Sequence, residues 1–475
     1  MQKEELPVDF ILQMQSVLNE KEIPFFISAL NHSDPVTGIR INKVKGKHLN
    51  ISGNPVPWTP TGLTLEKRPP FTLDPSFHAG AYYVQDPSSM LVDWLARHLL
   101  QKVKNPFLLD LAAAPGGKST ILAEIAFEKN GFLLANEVIK SRVPILRQNL
   151  ARWGYSNIFI SSFEIPVFKT LPPLFDLVLL DAPCSGEGLF RKDQNARMEW
   201  STDHVNHCAA RQKRILAPIP GLIKEGGYLL YSTCTYNTKE NDDQISWLCQ
   251  HFPLKVVSIE LPLEWGIIKT DKGGFQCYPH KVNGEGFYIA VLQHSGHLMS
   301  VESEVHQKKN QKSPRKKINF PDAISNFINP DSDLIGVQDH SGNYYGIPEN
   351  IFPDFNLISQ YLPFIDPLLL LGNTKGKDFI PEAELALSHY VKDTLYTWDL
   401  DRYEALIYLK KEISPLKPMH PGWGRISYGG LPLGWYKAVG DRYNNYFPKH
   451  WRIQMPIPEK SSLPPLPFSF KEKKV

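Results

Sequence analysis

The chain is short of cysteine. Its 475 residues hold five, at positions 184, 208, 234, 249 and 277, and no two are spaced as Cys-x-x-Cys. So sparse and odd a set excludes a disulfide framework, and the missing pair spacing excludes a tetrahedral zinc site, so no metal is expected. Free thiols suit a reducing compartment. Long apolar runs are missing too. Nowhere do about 18 apolar residues follow one another, the length a membrane span needs. The opening residues, Met1-Gln-Lys-Glu-Glu-Leu-Pro-Val-Asp9, carry acids and no apolar signal core, so a cytoplasmic protein without a membrane partner is expected. Charge of one sign is not in large excess either. A formal net charge of +3 permits nucleic-acid binding without requiring it. No internal repeat is evident.

What is present is a chain too long for one core, so about two to four domains are expected. Residues 1–70 read as a small α+β unit: Val8–Leu18 has apolar positions at helical spacing, Ile39–Lys43 alternates like a strand, and Asn54–Pro60 is a proline-rich connector. Over residues 71–297 strands alternate with helices. Strands are expected at Phe107–Leu111, Gly131–Ala135, Ile158–Ile160, Phe175–Leu180, Gly227–Ser232, Lys255–Leu261 and Gly286–Leu292, with helices at Ser119–Glu128, Lys140–Trp153 and Asn241–His251. That alternation implies a parallel sheet covered on both faces. Residues 298–320 read as a basic linker, because Gln307–Lys317 carries six positive charges and no apolar residue. A solvated linker is favoured there over a dedicated RNA-binding arm. Residues 321–395 form a small mixed domain. Residues 396–475, rich in Gly, Pro, rings and cations between short apolar pieces, suggest a compact β-barrel.

Three motifs carry chemistry. Asp110-Leu-Ala-Ala-Ala-Pro-Gly-Gly-Lys118 joins a strand to a helix through small residues that let a ligand approach the backbone, with helix N–H donors at its end. Lys118 invites a phosphate-loop reading, but neither Gly-x-x-x-x-Gly-Lys-Ser/Thr nor Gly-x-Gly-x-x-Gly is met. Glu137, just past the next strand, either caps the following helix or accepts both hydroxyls of a ribose. With the Gly-Gly loop beside it, a nucleoside-bearing cofactor is the better reading. The other two motifs each hold a cysteine: Cys184 in Leu180-Asp-Ala-Pro-Cys-Ser-Gly-Glu-Gly188, and Cys234 in Tyr231-Ser-Thr-Cys-Thr-Tyr236. Both follow strand-like runs, so both thiols should emerge at the carboxyl ends of strands, where open α/β sheets bind ligands. Their polar surroundings set them apart from inert core cysteines. Cys208, Cys249 and Cys277 lie outside any motif.

On these motifs, and on Gly80-Ala-Tyr-Tyr-Val-Gln-Asp-Pro-Ser-Ser-Met90, the chain resembles the RNA cytosine-C5 methyltransferases of the Nol1/Nop2/Sun family. The resemblance is strongest over the central 225 or so residues. It implies an α/β, Rossmann-like methyltransferase core, flanked by the N-terminal α+β unit and a PUA-like β-barrel, both holding RNA. S-adenosylmethionine is the implied donor. Ala112, Ala113, Ala114, Pro115, Gly116, Gly117 and Lys118 match the cofactor loop, Glu137 the ribose acid, and Asp181 the acid of the Pro-Cys motif. Glu164 falls where relatives usually carry Asp near the adenine, keeping the charge on a longer arm. Ala112 stands where many relatives have Cys.

The implied chemistry needs these residue types. Carbon 5 of cytosine is a poor nucleophile until a thiolate adds at carbon 6 and makes carbon 5 an enamine carbon. Asp181 would support the adduct at ring N3. The resemblance assigns the attack to Cys234 and assistance of product release to Cys184, where DNA methyltransferases would use the Pro-Cys cysteine. The implied target is cytosine in 16S ribosomal RNA of the small subunit, methylated by a monomer. A transfer RNA target, an adenine or guanine amino-methyltransferase, and a non-catalytic RNA-binding assembly factor are the rival readings. For RNA contact, Arg191-Lys192-Asp193 is either a phosphate contact or a solvated loop. In the C-terminal segment Trp423, Arg425, Trp435, Lys437, Arg442, Tyr443, Tyr446, Lys449 and Arg452 interleave rings and cations, a mix suited to stacking and phosphate contact.

Overall fold

The computed structural model describes residues 5–296, 315–362, 364–376, 378–412, 417–418, 420–466 and 468–470. Its centre is a ten-stranded sheet. Seven of the strands matter for function: β1 (Phe107–Asp110), β2 (Phe132–Asn136), β3 (Ile158–Ser161), β4 (Phe175–Asp181), β5 (Ile223–Thr233), β6 (Phe275–Cys277) and β7 (Phe287–His294). They lie in the order β6-β7-β5-β4-β1-β2-β3. Strands β5, β4, β1, β2 and β3 are parallel, while at one side β7 runs antiparallel to β5 and β6 antiparallel to β7.

The strands are apolar throughout because both faces are covered. Along β1, Leu108 packs into one core and Leu109 into the other, and Leu133 and Leu134 of β2 divide in the same way. Each such fully buried leucine contributes about 1.5–3 kcal/mol relative to exposure. Four helices cover the sheet at the positions that matter here: α1 (Gly117–Glu128), α2 (Val143–Trp153), α3 (Thr202–Leu216) and α4 (Asp242–His251). Helix α3 escapes the periodicity reading because only Val205, Gln212 and Leu216 are buried along it. The strand expected over Lys255–Leu261 is shorter and starts earlier, at Leu254–Val256.

Before the central sheet come two helices, Val8–Val17 and Ile23–His32, and a four-stranded sheet. That sheet takes one edge strand from Tyr82–Val84, past the division expected at residue 70. After the central sheet comes a five-stranded sheet built from Lys317–Ile318, Leu334–Gln338, Asn343–Pro348, Leu370–Lys375 and Asp378–Pro381. Between its strands, Asp366–Pro367 pairs with β3 and so extends the central sheet. The last sheet has four strands, Thr397–Asp399, Gly422–Tyr428, Leu431–Val439 and Arg442–Asn445. Phe468–Phe470 then returns to pair with Leu49–Ile51, so the end of the described chain rests on the N-terminal unit. Of the basic stretch Gln307–Lys317, only Arg315, Lys316 and Lys317 fall within the described residues, and Arg315 Nη2 is 2.7 Å from Asp366 Oδ1. Among the described residues no helix is long and apolar enough to cross a membrane.

The two C-terminal sheets share one core, whose largest member is Trp435. It is fully buried, its ring meets Phe327 edge-on at 5.7 Å, and its Nε1 donates to Glu382 O at 2.8 Å. Trp435→Ala is expected to cost about 3–5 kcal/mol through the cavity it leaves. Chemical denaturation followed by tryptophan fluorescence and circular dichroism checks this; a change under about 1 kcal/mol would mean the two sheets do not depend on this core.

Candidate active site

The motif residues stand at the carboxyl ends of the parallel strands. Asp110 ends β1, Asn136 ends β2, Asp181 ends β4 and Thr233 ends β5. The order in which strands are added across the sheet reverses at β1, which has β2 on one side and β4 on the other, and ligands bind at such a point. A cleft of about 370 Å³ opens there. Ala112, Ala114, Glu137, Glu164, Asp181, Cys184 and Cys234 line it, joined by Val138, Ile139, Arg142, Leu189 and Arg211.

The loop from Asp110 to Lys118 is pinned from below. Asp110 is buried, accepts from Ser119 Oγ at 2.7 Å and Ala112 N at 3.3 Å, and burial pushes its carboxyl up to about 7. Ala113, Pro115, Gly116 and Gly117 shape the loop without lining the cleft. Ala113 N donates to Asn136 O at 2.9 Å, Pro115 O accepts from Asn149 Nδ2 at 2.8 Å, and Gly116 starts α1 at φ +116°, where only glycine is unstrained. Glu137 is also buried. Its Oε2 accepts from Ala114 N at 3.1 Å and its Oε1 from Ile139 N at 2.8 Å. A carboxylate has about four lone-pair sites, so these bonds orient Glu137 and leave it capacity for two ligand hydroxyls. Glu164 is exposed and opens the short 3-10 turn Ile165–Thr170.

A second cluster surrounds Asp181. Lys118 Nζ donates to its Oδ2 at 2.7 Å and Ser232 Oγ to its Oδ1 at 2.7 Å. Burial pulls the Lys118 ammonium down, but Asp181 above all, then Cys234 and Asp110, outweigh it, and the net shift is upward. Lys118 therefore stays charged beside the thiols.

The two thiols meet. Cys184 Sγ and Cys234 Sγ are 3.0 Å apart, both free, and Cys234 N donates to Cys184 Sγ at 3.3 Å. The hydrogen bond to the Cys234 sulfur, then burial and the charge of Cys234, hold the Cys184 thiol well above its ordinary range. Cys184 thus keeps its proton.

The sequence reading missed what holds the two cysteine loops in place. Glu187, wholly buried, accepts at Oε2 from Thr235 Oγ1 (2.6 Å), Tyr236 N (2.8 Å) and Asn237 N (3.1 Å). Its Oε1 accepts from Gln13 Nε2 (2.9 Å), Asn237 Nδ2 (3.0 Å) and Trp200 Nε1 (3.1 Å). Glu240, its carboxyl raised chiefly by burial, accepts from Ser185 N at 3.0 Å, Gln212 Nε2 at 2.9 Å and Asn237 Nδ2 at 2.8 Å. Gly188 N donates to Cys234 O at 2.8 Å. The available signal was the polar residues inside or just after the motifs, Glu187, Asn237 and Glu240, in positions that need a buried partner.

Comparison with known proteins places this geometry. A family model described as 16S rRNA methyltransferase RsmB/F matches residues 97–293. Models for the N-terminal domain of 16S rRNA methyltransferase RsmF and for the methyltransferase RsmF PUA domain match residues 6–87 and 396–453. Ribosomal RNA small subunit methyltransferase F of Shewanella piezotolerans (strain WP3 / JCM 13877) is 30% identical over 426 residues, covering 86% of this chain and 87% of that protein. The chain belongs to the ribosomal RNA small subunit methyltransferase F family.

Methyltransferase F of Klebsiella pneumoniae (strain 342) is 29% identical over 412 residues, covering 83% of this chain and 84% of that protein. Among solved structures, that of PH0851 aligns with a TM-score of 0.54 at 27% identity, covering 61% of this chain and 66% of that one. NSun6 from Pyrococcus horikoshii with SFG aligns at 0.51 and 19% identity, covering 62% and 100%, which is a likeness of fold. S-adenosylmethionine is the cofactor of this methyltransferase fold. The cleft suits it: small alanines on one strand end and an oriented, buried carboxylate on the next.

The expected RNA contacts divide. Arg191 is no phosphate contact, because it is buried, with Nε 2.9 Å from Glu285 Oε2 and Nη2 donating to Gly284 O at 2.7 Å. Lys192 is partly exposed and pairs at 3.5 Å with Glu285, while Asp193 caps the helix Gln194–Glu199. In the PUA domain Trp435 is core. Trp423 is partly exposed, 4.4 Å from Tyr446, with Lys437 Nζ 5.4 Å from its ring centre. Arg442, Lys449 and Arg452 are exposed, whereas Arg425 is largely buried, and burial lowers its guanidinium.

Because the Cys234 sulfur is the largest cause holding the proton on Cys184, Cys234→Ala is expected to speed alkylation of Cys184 severalfold at pH 8–9. Peptide mass spectrometry after timed iodoacetamide treatment reads the rate. An unchanged rate would mean that burial alone protects this thiol.

Proposed function

We propose that this methyltransferase modifies carbon 5 of cytosine in 16S ribosomal RNA through a transient bond between Cys234 Sγ and carbon 6 of the base. The carrying observation is the 3.0 Å approach of two free thiols on the wall of the cofactor cleft, one of which keeps its proton. An amino-methyltransferase has no use for such a pair. Nor does the chain carry the Asp/Asn-Pro-Pro-Tyr/Phe signature of that class, having Asp181-Ala-Pro-Cys184.

Bound S-adenosylmethionine supplies an electrophilic methyl group at a sulfonium centre. Ala112 and Ala114 would admit it to the strand ends, Glu137 would hold the ribose hydroxyls, and Glu164, on the same cleft wall, would serve the adenine. The target cytosine leaves its stack to enter the cleft. Cys234, as thiolate, adds to carbon 6, and the displaced ring electrons make carbon 5 nucleophilic. Asp181, held by Lys118 and Ser232 at 2.7 Å each, would carry a proton to N3, the atom that gains the electron pair as Cys234 adds, and take it back when the adduct breaks. Lys118 adds positive charge to the same region. Carbon 5 would take the methyl as the methyl–sulfonium bond breaks and its electron pair stays with the departing thioether; a base then removes the carbon-5 proton, the ring double bond re-forms, and Cys234 leaves as thiolate. Cys184 Sγ stands 3.0 Å from the leaving sulfur and assists this elimination.

Purified variants with 16S ribosomal RNA and labelled cofactor test the scheme. Cys234→Ala is expected to reduce methyl transfer to background and to form no protein–RNA adduct. Cys184→Ala is expected to accumulate an adduct that survives denaturation. The opposite pattern would exchange the roles of the two cysteines, and methylation of transfer RNA with ribosomal RNA untouched would move the substrate.

A further inference from the structure

The N-terminal helices lie directly on the nucleophile loop. Phe10 of Val8–Val17 meets Phe190 at 4.9 Å and Trp200 at 5.7 Å, both edge-on. Phe26 of Ile23–His32 meets Tyr236, two residues past Cys234, edge-on at 5.0 Å. Tyr236 in turn stacks on Tyr278 at 5.6 Å. Polar ties run in parallel. Arg197 donates to Asn31 Oδ1 and Leu30 O, each at 2.9 Å, and Gln13 Nε2 reaches into the core to donate to Glu187 Oε1 at 2.9 Å. Among the described residues no cationic side chain pairs with Glu187, so its buried charge rests on hydrogen bonds alone. Such a charge is costly when a donor is withdrawn. Two of its donors are the backbone N–H groups of Tyr236 and Asn237, so whatever holds Glu187 sets the path of the chain leaving Cys234.

We propose that the N-terminal helix pair is a positioning element of the methyl-transfer centre, in which Gln13 fixes Glu187 and Glu187 fixes the backbone that presents Cys234. The proposal rests on Cys234 being the attacking group. It assigns these helices a duty in the chemical step and makes Gln13 a positioning residue, where an RNA-binding role alone would touch only substrate affinity. The outer face of the first helix, with Val8 and Leu12 exposed, takes no part.

The test compares Gln13→Leu, close in size but without the donor, with Leu12→Ser on the outer face. Each is made in the full chain, alone and with Cys184→Ala. At saturating RNA and cofactor, Gln13→Leu is expected to slow both kcat for methyl transfer and adduct accumulation about tenfold, the effect of one lost hydrogen bond to a buried charge. KM and RNA affinity stay within about twofold, and Leu12→Ser matches its parent. An unchanged rate in Gln13→Leu, or slowing that disappears at saturating RNA, would overturn the proposal. If Cys184→Ala gives no adduct, the covalent scheme itself fails; if it gives an adduct that accumulates equally fast with Gln13→Leu, the scheme stands and the positioning role fails.

Discussion

Glu187 lies wholly buried between the loops that carry the two cysteines, a carboxylate whose neighbours are hydroxyl, amide, indole and backbone N–H donors. A buried charge without a counter-ion survives only if its hydrogen bonds are made and kept. That requirement fixes the turn after Cys234, because the N–H groups of Tyr236 and Asn237 must point inward. Glu240 imposes the same condition on Ser185, one residue after Cys184. Two loops from separate strands are thereby stapled at both ends, and the sulfurs are left facing each other on the cleft wall. Without the staple, loops of this length at strand ends would sample many arrangements.

The charges near the thiols are arranged asymmetrically. Lys118 and Asp181 form a pair on one side, while on the other Glu240 and the partner sulfur disfavour charge on Cys184. Cys184 keeps its proton. The proposed division of labour, attack by one sulfur and release of product with the help of the second, asks for one such protonated thiol. Asp110, pushed up to about 7 by burial, belongs to the scaffold beneath the loop and does not line the cleft.

Much of the central fold was legible because parallel strands buried on both faces are continuous apolar runs, as at Phe175–Leu180 and Ile158–Ile160, and such runs carry their own boundaries. The motif residues were legible because small, cysteine-bearing polar stretches are out of place at strand ends unless they touch a ligand. Other features had no local signal. Helix α3 is mostly solvated, so its apolar stripe is too thin to read, and its Gln212 matters through Glu240 and the Pro183 carbonyl. Arg191 reads as a surface cation until Glu285, 94 residues away, is seen to bury it. The link from Gln13 to Glu187 spans 174 residues, and nothing in either segment names the other.

The sulfur–carbon bond at Cys234 is the claim on which the mechanism turns. Fluorine at carbon 5 of cytosine cannot leave as a proton does, so a 5-fluorocytidine-bearing ribosomal RNA incubated with the wild-type protein and cofactor should stop at the covalent stage. Digestion and mass spectrometry of the cross-linked peptide would then locate the bond. A methylated, RNA-bearing fragment attached through Cys234 is the expected finding. Attachment through Cys184, or an RNA that is released unbound after turnover, would refute it.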